Sequence, residues 1–462
     1  MSQPSQPAKS SFRLLAPPLA IAGVVLLQLA PVAAMTKAAG IAVLILAFWA
    51  TALIPEHLTA LLFFLLTLLF AVAPPEVVFS GFSSAAVWLV FGGLIVGAAI
   101  SSTGLGDRIG KYAATRLHGS YLKIISGLVA AVVLFSFLMP SSMGRIVLLT
   151  PIALAIADHF GFKEGTKGRT GIMLAVILGT YIPAFGILPA NVPNVVLAGM
   201  AETKYKISLL YGPYLLLHFP LLTLAKAVII ATLIILFYRD QPVEQLEQNQ
   251  HSSGPLTRNE IILSAVLLLM LVLWITDFLH HISPAWIALG GAFFLMLPGI
   301  DIVSSTQFNQ KLNWASMVFT AGILGLGGMI SKTGLDHTFA TALLKLLPLA
   351  KEQDFINYMS VSLASTFTGV ITTLPAVPAV FTPLTDSLAQ ATGLPVKALL
   401  MMQVTGFATV LLPYQGPPIV VGLQLSGQKL ADAAKICVPL ALITVFVLLP
   451  VNYFWWKFLD WL

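Results

Sequence analysis

The segment 124–158, IISGLVAAVVLFSFLMPSSMGRIVLLTPIALAIAD, decides how this chain folds. An apolar stretch at 124–139 runs into a break between Pro140 and Gly144, and a second apolar stretch follows at 145–158. Unpaired backbone groups cannot face lipid, so a break inside such a hairpin is tolerated only where it lines protein or a wet cavity. The pattern predicts a re-entrant helical hairpin with a functional site at its tip.

The composition around this hairpin is that of a polytopic membrane protein. Hydrophobic residues make up 58% of the 462 residues and charged residues only 9%, against about 25% charged in soluble domains. The apolar residues fall in blocks near the ~20-residue length that a helix needs to cross a bilayer. We therefore predict an all-α membrane protein with about 11 transmembrane helices and two re-entrant hairpins. The predicted spans are 14–34, 39–54, 57–73, 85–103, 171–189, 208–238, 260–279, 284–299, 315–331, 396–413 and 436–458.

Charge and cysteine usage narrow the classes further. The net charge of +6 fits basic residues collected in cytoplasmic loops, so we expect no nucleic-acid partner. The only cysteine, Cys437, lies in an apolar run, which leaves no Cys-based metal site. Residues 1–38 begin like a signal peptide, but no clear Ala-x-Ala cleavage site follows, so we predict an N-terminal segment and an uncleaved first transmembrane helix.

The two halves of the chain carry the same landmarks in the same order. Thr-Gly-Leu loops, prolines that close the broken hairpins and prolines inside helix breaks recur at offsets of 230, 232 and 224 residues: Thr103 and Thr333, Pro151 and Pro383, Pro193 and Pro417. Three landmarks at nearly constant offset are hard to obtain by chance. The sequence therefore predicts two repeats, 39–238 with hairpin 121–158 and 260–462 with hairpin 355–384, joined by a linker at 239–259.

The distribution of basic residues predicts that the repeats are inverted. With the N-terminus inside and both hairpins re-entrant, fourteen of the 24 Lys and Arg residues fall on the inner side and eight on the outer, in line with the positive-inside rule. This arrangement puts the linker in the cytoplasm. Inverted repeats with broken helices near the midplane are a recurrent design of secondary transporters. Compact loops and the lack of a transit segment point to a bacterial inner membrane.

Four breaks form the candidate site, at 140–144, 190–194, 372–378 and 413–418. Each offers free backbone groups and helix ends, and helix N-termini attract anions. Arg145, just after the first break, is the strongest single candidate for a functional residue. A central Arg costs about 2.5–3.5 kcal/mol on insertion scales, so it usually faces a cavity and marks a pathway. The alternative is an Arg that snorkels from the end of the hairpin.

Other polar residues near the spans have plainer interpretations. Lys226 is typical of a membrane interface, and Glu56-His57 and Asp277 are typical of exposed turns. The chain has no Gly-x-x-x-x-Gly-Lys-Ser/Thr loop and no His-Glu-x-x-His, so we expect neither ATP-driven pumping nor an enzyme. Transport would then run downhill or be coupled to a gradient of an ion or a counter-solute.

At this point the pattern resembles a known family, the divalent anion/sodium symporters, which carry dicarboxylates, citrate or sulfate. The resemblance runs from about residue 39 to the C-terminus. It rests on Phe79-Ser80-Gly81-Phe82 ahead of Val87-Trp88-Leu89-Val90-Phe91, the Thr-Gly-Leu loops, the two hairpins with their closing prolines, and the Pro-Asn and Pro-Pro breaks. The resemblance implies an inverted repeat with two re-entrant hairpins, a homodimer, and a transport domain that moves as an elevator against a static scaffold.

The hairpin tips depart from the family pattern. Each family tip carries Ser-Asn-Thr, which binds the carboxylate and helps to coordinate sodium, whereas the tips here read Ser141-Ser142-Met143 and Thr373-Leu374-Pro375. The breaks retain Pro193-Asn194 and Pro417-Pro418. These tips supply few side-chain oxygens, which argues against a sodium site. We hypothesise that the Arg145 guanidinium supplies the positive charge that sodium supplies elsewhere in the family, whose sodium-independent exchangers tend to carry a basic residue near here.

The sequence thus favours a secondary transporter of a small anion, of di- or tricarboxylate or sulfate type, that works by anion exchange or without sodium. The expected partners are a small anionic substrate, membrane lipid and a second copy of the chain; no cofactor or metal is expected. The predicted substrate-binding residues are Ser141, Ser142, Arg145, Asn191, Asn194, Thr372, Thr373 and Gln415. The predicted structural residues of hairpins and breaks are Pro140, Gly144, Pro193, Pro375, Pro417 and Pro418. A sodium-coupled symporter that holds its ions with backbone carbonyls and an ion channel are the alternatives.

Overall fold

The structure, a computed structural model, describes residues 34–51, 53–106, 108, 120–242 and 255–462. All regular elements in these ranges are helices, which confirms the all-α prediction. The predicted span at 14–34 lies almost wholly outside the described residues, as do residues 1–33 of the predicted N-terminal segment and 243–254 of the predicted linker.

The helices fall into a first half, 34–242, and a second half, 255–462. The first half contains α1 (Ala34–Thr51), α2 (Glu56–Leu69), α3 (Pro75–Val78), α4 (Ala85–Thr103), α5 (Tyr121–Leu138), α6 (Ser142–His159), α7 (Lys167–Tyr181), α8 (Val192–Tyr205), α9 (Tyr211–His218) and α10 (Lys226–Phe237). The second half contains α11 (Arg258–Ile275), α12 (Asp277–His280), α13 (Pro284–Met296), α14 (Ser305–Lys311), α15 (Trp314–Lys332), α16 (Leu335–Leu346), α17 (Asp354–Ile371), α18 (Ala376–Phe381), α19 (Thr385–Thr392), α20 (Val396–Phe407), α21 (Pro417–Leu425), α22 (Leu430–Ile443) and α23 (Leu449–Phe458).

Eight helical segments of the described chain are long and apolar enough to cross a membrane, by length and composition. The protein is therefore an integral membrane protein. Shorter apolar helices, among them α2, α13 and α20, stand beside them. The predicted total of about 11 spans stays a prediction.

Both halves run through the same order of elements. A long helix (α4 or α15) is followed by a helical hairpin (α5–α6 or α17–α19) and by a helix with an irregular break (α7–α8 or α20–α21). Each half then ends in a helix with an internal π-helical turn, Phe219–Ala225 between α9 and α10 and Thr444–Leu448 between α22 and α23. The opposite orientation of the halves in the bilayer stays a prediction, as do the domain boundaries.

Helices of each half pack against helices of the other half. Helix α2 of the first half packs on α15 of the second, and α13 of the second packs on α4 of the first. Small residues allow both crossings, because a Cβ at Gly92 would lie 2.7 Å from the Ala288 backbone and one at Gly322 only 2.5 Å from the Ala60 Cβ. Small residues of this kind let helix backbones approach closely within a membrane.

Each hairpin is also contacted by a helix of the other half. Helix α21 packs on α6 of the first hairpin, while α8 packs on α18 of the second. Each half-helix that follows a break therefore rests on the hairpin of the other half. This packing brings both hairpin tips and both breaks together in the middle of the molecule.

The breaks differ in extent from the predicted ones. The first hairpin turns at 139–141, between α5 and α6, and the second at 372–375, because α18 already begins at Ala376 and runs through Pro378. The irregular segment of the first half extends over 182–191 and that of the second over 408–416. The predicted ranges ran too far toward the C-terminus because proline is tolerated in the first turn of a helix, where its missing N–H would be unpaired anyway.

Candidate functional site

A cavity of about 90 Å³ lies where the hairpin tips and the breaks meet. It is much smaller than the ~300 Å³ pockets of drug-sized ligands, so a small solute is the expected occupant. Helices α2, α4, α7 and α15 complete its wall. Eight of the predicted residues line it: Pro140, Ser141, Ser142, Asn191, Pro193, Pro375, Pro417 and Pro418.

The first half points two helix N-termini at this cavity. Ser141 is the N-cap of α6, and its Oγ accepts a hydrogen bond from the Gly144 N–H at 3.1 Å. Asn191 is the N-cap of α8, and its Oδ1 accepts a bond from the Asn194 N–H at 3.2 Å. Both caps line the cavity. Since helix N-termini carry partial positive charge and unpaired N–H groups, this side of the cavity is suited to an anion.

Asn191 also offers a free donor. The side chain is only 2% exposed, and its Nδ2 has no hydrogen-bond partner among the described residues. A buried amide left without a partner costs free energy. A ligand oxygen in the cavity would satisfy it.

The second half presents prolines to the same cavity. Pro417 and Pro418 are the first two residues of α21, and Pro375 is the N-cap of α18. Proline has no backbone N–H, so the start of α21 offers no donor from these two positions. The second tip and break therefore mainly shape the cavity; the polar residue that the second half adds to the wall is Ser316 of α15.

Arg145 lies behind the cavity wall and is fully buried. Its Nη1 donates to the carbonyl oxygen of Met139, and its Nη2 donates to the carbonyls of Thr180 at 3.2 Å and Ala190 at 3.0 Å. Nη2 also lies 3.1 Å from the Ser142 Oγ, which itself donates to Ala190 O at 2.7 Å. The guanidinium thus donates to carbonyl oxygens that have no helical partner, at the C-terminal ends of α5 and α7 and at the end of the first break.

Other side chains pair the remaining carbonyls of the first break. Asn194 lies off the wall, and its Nδ2 donates to the carbonyls of Phe185 at 3.1 Å and Ile187 at 3.0 Å. Tyr214 and Thr223, on the helix with the π turn, donate to Phe185 O at 2.9 Å and Pro183 O at 2.6 Å. The irregular backbone is therefore satisfied by protein, as it must be at membrane depth.

The remaining predicted residues also lie off the wall. Thr372 Oγ1 donates to Thr368 O at 2.7 Å, and Gln415 Oε1 accepts from the N–H groups of Leu411 and Leu412 at 2.8 and 2.7 Å. Thr373 is buried near the second tip without a partner for its hydroxyl in the described chain. Gly144 closes the first turn of α6, where a Cβ would lie 2.6 Å from the Met139 Cε.

Three interpretations of charged residues were wrong. Glu56 lines the cavity instead of an exposed turn. Lys226 is buried, and its Nζ donates to Ala408 O at 2.8 Å at the end of α20. Asp277 is buried too, since its carboxylate accepts from the N–H groups of Tyr211 and Gly212 and caps α9. A charged residue near a helix terminus has the same local sequence pattern whether that terminus faces water or protein. The local pattern therefore could not indicate that these three residues are buried or line the cavity.

Comparison with known proteins identifies the kind of molecule that carries this site. The sequence profile described as the sodium:sulfate symporter transmembrane region matches residues 9–462. The chain belongs to this family of membrane transporters. The resemblance found in the sequence is thereby confirmed, and the chain is a transporter and not an enzyme.

Members of this transporter family and related proteins match over most of their length. A membrane protein of Cupriavidus necator is 24% identical over 401 residues, which are 83% of this chain and 76% of that one. The chloroplastic dicarboxylate transporter 2.2 of Arabidopsis thaliana is 24% identical over 408 residues, which are 84% of this chain and 73% of that one.

A solved structure shares the fold. The crystal structure of the Alcanivorax borkumensis YdaH transporter, described as having an unusual topology, superposes with a TM-score of 0.50 at 14% identity. The match covers 84% of this chain and 88% of that one. This chain therefore has the same overall fold as a transporter of known structure.

Proposed function

We propose that this chain is a sodium-independent secondary transporter of a small dianion, of sulfate or dicarboxylate type. The dianion would bind in the cavity between the first hairpin tip and Asn191. The family description names sulfate, and the chloroplastic relative is a dicarboxylate transporter. Ser141, the Asn191 Nδ2 and the N-terminal turn of α6 would donate hydrogen bonds to it. The start of α8 would contribute mainly its partial positive charge, because Pro193 has no N–H and the Asn194 N–H is bound to the Asn191 Oδ1.

The observation that carries this proposal is the position of Arg145. Its guanidinium contacts Ser142, and Ser142 lines the cavity. A buried positive charge one side chain behind the wall attracts an anion more strongly than the same charge in water, because the low dielectric screens it less. Arg145 therefore acts as a fixed counter-charge without needing to touch the substrate.

The same arrangement supports independence from sodium. A sodium ion at the first tip would need several oxygen ligands, since hard cations prefer oxygen. Three carbonyl oxygens that would suit it, those of Met139, Thr180 and Ala190, already accept hydrogen bonds from Arg145. The guanidinium thus takes the place that a cation would fill.

We also propose a membrane, an oligomeric state and a transport movement for this protein. Bacterial relatives such as the Cupriavidus necator protein favour a bacterial plasma membrane, with the N-terminus in the cytoplasm. We infer a homodimer in which the hairpins, breaks and last helices of each half move together as an elevator against α1, α2, α4, α11, α13 and α15. Membership in a transporter family favours this mechanism over an ion channel.

The test is counterflow in proteoliposomes that hold the purified protein. Radiolabelled sulfate, succinate and citrate are offered outside, with unlabelled anion inside, in sodium-free potassium or choline buffer and in sodium buffer. We expect saturable uptake of at least one dianion that requires internal anion and is equal in the two buffers. Uptake that appears only with sodium would favour the sodium-coupled symporter, and uptake without saturation would favour a channel.

A further inference from the structure

We propose that Glu56 is a proton-binding site whose protonation is linked to anion binding in the cavity. The inference rests on the proposed function, because it concerns the same cavity. Glu56 is the first residue of α2, and it lines the same cavity as the first hairpin tip. Among the described lining residues it is the one carboxylate.

The Glu56 carboxylate has no counter-charge in the described part of the chain. No hydrogen bond or ion pair of its side-chain oxygens is formed there; only its backbone carbonyl is used, by the Trp49 Nε1 at 3.1 Å. Much of the surrounding wall is apolar, with Leu89, Val90 and Phe319 beside it. Glu56 is half-buried, so an ionised carboxylate here loses part of its hydration, which is offset only by the partial positive charge at the start of α2.

None of the charged or titratable groups on α2 or on the elements packed against it forms an ion pair with Glu56 in the described chain. The elements packed on α2 carry Lys37 on α1, Glu76 on α3 and Lys332 on α15. Lys37 stands 14 residues before the end of α1 and Lys332 16 residues beyond Ser316 of the cavity wall, so each lies on the order of 20 Å along its helix. Glu76 follows the far end of α2. On α2 itself, His57 is the next residue, turned about 100° around the helix axis.

Two further groups belong to the cavity region. Tyr181 of α7 lines the cavity with a neutral hydroxyl. Arg145 lies behind Ser142; its Nη1 and Nη2 groups are bound to carbonyls and to Ser142, while its Nε has no partner in the described chain. The cavity is therefore polarised, with a fixed positive charge behind the first tip and a titratable negative charge on α2.

This polarity links proton and anion. A dianion that enters beside an ionised Glu56 meets a like charge in a low-dielectric site, whereas a protonated Glu56 removes the repulsion and can donate a hydrogen bond. By reciprocity, a bound dianion must raise the affinity of Glu56 for its proton. Affinity for the anion is then highest when Glu56 is protonated and falls as the pH rises through its titration, by at most about tenfold per pH unit for one proton.

The experiment measures sulfate affinity against pH in sodium-free proteoliposomes, by counterflow, with the full-length protein. Sulfate is the probe because it remains a dianion throughout the pH range used. Glu56→Gln is compared with wild type, and Glu76→Gln is the matched control, since Glu76 is an exposed carboxylate outside the cavity. A second readout is proton uptake on adding sulfate to weakly buffered detergent solution, followed with a pH-sensitive dye.

We expect the wild type and Glu76→Gln to lose sulfate affinity by close to tenfold per pH unit over part of the range, and to take up protons with sulfate. Glu56→Gln is expected to bind sulfate with an affinity that no longer depends on pH and without proton uptake. Wild-type counterflow that is independent of pH, or pH dependence that survives in Glu56→Gln, would overturn the proposal. Binding that requires sodium through Glu56, or a preference for a substrate bearing an ammonium group, would overturn it as well. Absence of any wild-type counterflow would instead refute the proposed transport function.

Discussion

The two hairpin tips occupy equivalent positions in the two halves of the chain but contribute different chemical groups to the cavity. The first tip and its break bring donors to the cavity, through Ser141, Asn191 and the starts of α6 and α8. The second tip and its break bring the rings of Pro375, Pro417 and Pro418. The two tips and breaks therefore differ in the donors they offer, although the first half also contributes proline rings and Ser316 of α15 also lines the cavity.

The cations follow the same division. Arg145 comes from its own hairpin and pairs carbonyls beside the cavity, whereas the end of α20 before the second break is paired by Lys226, which belongs to the first half. The difference teaches that a repeated backbone does not imply a repeated site. A fold can duplicate its helices and breaks and still concentrate the binding chemistry in one copy.

Loss of the first-half cation should have the largest effect. Replacing Arg145 by Gln removes the charge behind the cavity and leaves carbonyls of Met139, Thr180 and Ala190 without their donor. Truncating one partner of a buried charge interaction costs about 3 kcal/mol or more, so counterflow should fall roughly 100-fold or more. Initial rates of sulfate and succinate counterflow measure it.

The matched control is Arg258→Gln, an exposed arginine at the start of α11, which should transport like wild type. Because removal of a buried guanidinium also lowers the stability of the fold, Arg145→Lys is compared with Arg145→Gln by thermal unfolding. Lysine keeps the charge but not the forked geometry, so partial transport is expected. A folded Arg145→Gln protein with wild-type counterflow would refute the role of this charge.

The donor on the first-half break should have the next largest effect. Asn191→Asp keeps the oxygen that caps α8 but replaces the free Nδ2 donor with a negative oxygen. Hydrogen bonds to charged groups contribute about 1.5–3 kcal/mol, so sulfate affinity should fall roughly 10- to 100-fold. Concentration dependence of counterflow gives the change in affinity.

Asn191→Ser is the companion variant, because serine keeps a capping oxygen and a hydroxyl donor. Its loss of affinity should be smaller than that of Asn191→Asp. Equal losses in both variants would mean that Asn191 acts through the start of α8 alone and does not contact the anion.

The cation that pairs a carbonyl beside the second break should have the smallest effect. Lys226 does not line the cavity, so Lys226→Met should change sulfate affinity by less than about threefold, equivalent to under ~0.7 kcal/mol. Its effect on unfolding should also be small, since the lost partner of Ala408 O is offset by relief of a buried charge. Exposed Lys429→Met is the control. A loss as large as that of Arg145→Gln would show that the two cations are equivalent and would remove the distinction between the halves.

Much of the fold follows from the sequence. The apolar blocks gave the helices, and Pro140, Pro193 and Pro417 marked the breaks, because unpaired backbone inside an apolar run leaves few alternatives. The break limits were less exact, since Pro378 and Pro418 lie within first turns of helices instead of outside them.

The site was less accessible to sequence reasoning. Ser141 and Asn191 could be selected because each follows an apolar run and caps the next helix. Glu56 could not, because its place in the cavity depends on the packing of α2 against α15 across more than 200 residues of chain. The partners of Arg145 and Lys226 depend in the same way on carbonyls from other helices. Such contacts leave no local pattern.

The two buried cations also determine how voltage would act on transport. In the proposed elevator cycle Arg145 and Lys226 would travel with the moving body. With both groups protonated, a body loaded with a dianion would carry no net charge from these three groups, whereas an empty one would carry two positive charges. A membrane potential of 100 mV is worth about 2.3 kcal/mol for each charge moved across it. In the proposed exchange cycle the inside-negative potential would leave the exchange of one dianion for another untouched, would oppose the outward return of the empty body and would favour its inward return, so it would disfavour net uptake of the dianion but not its net release.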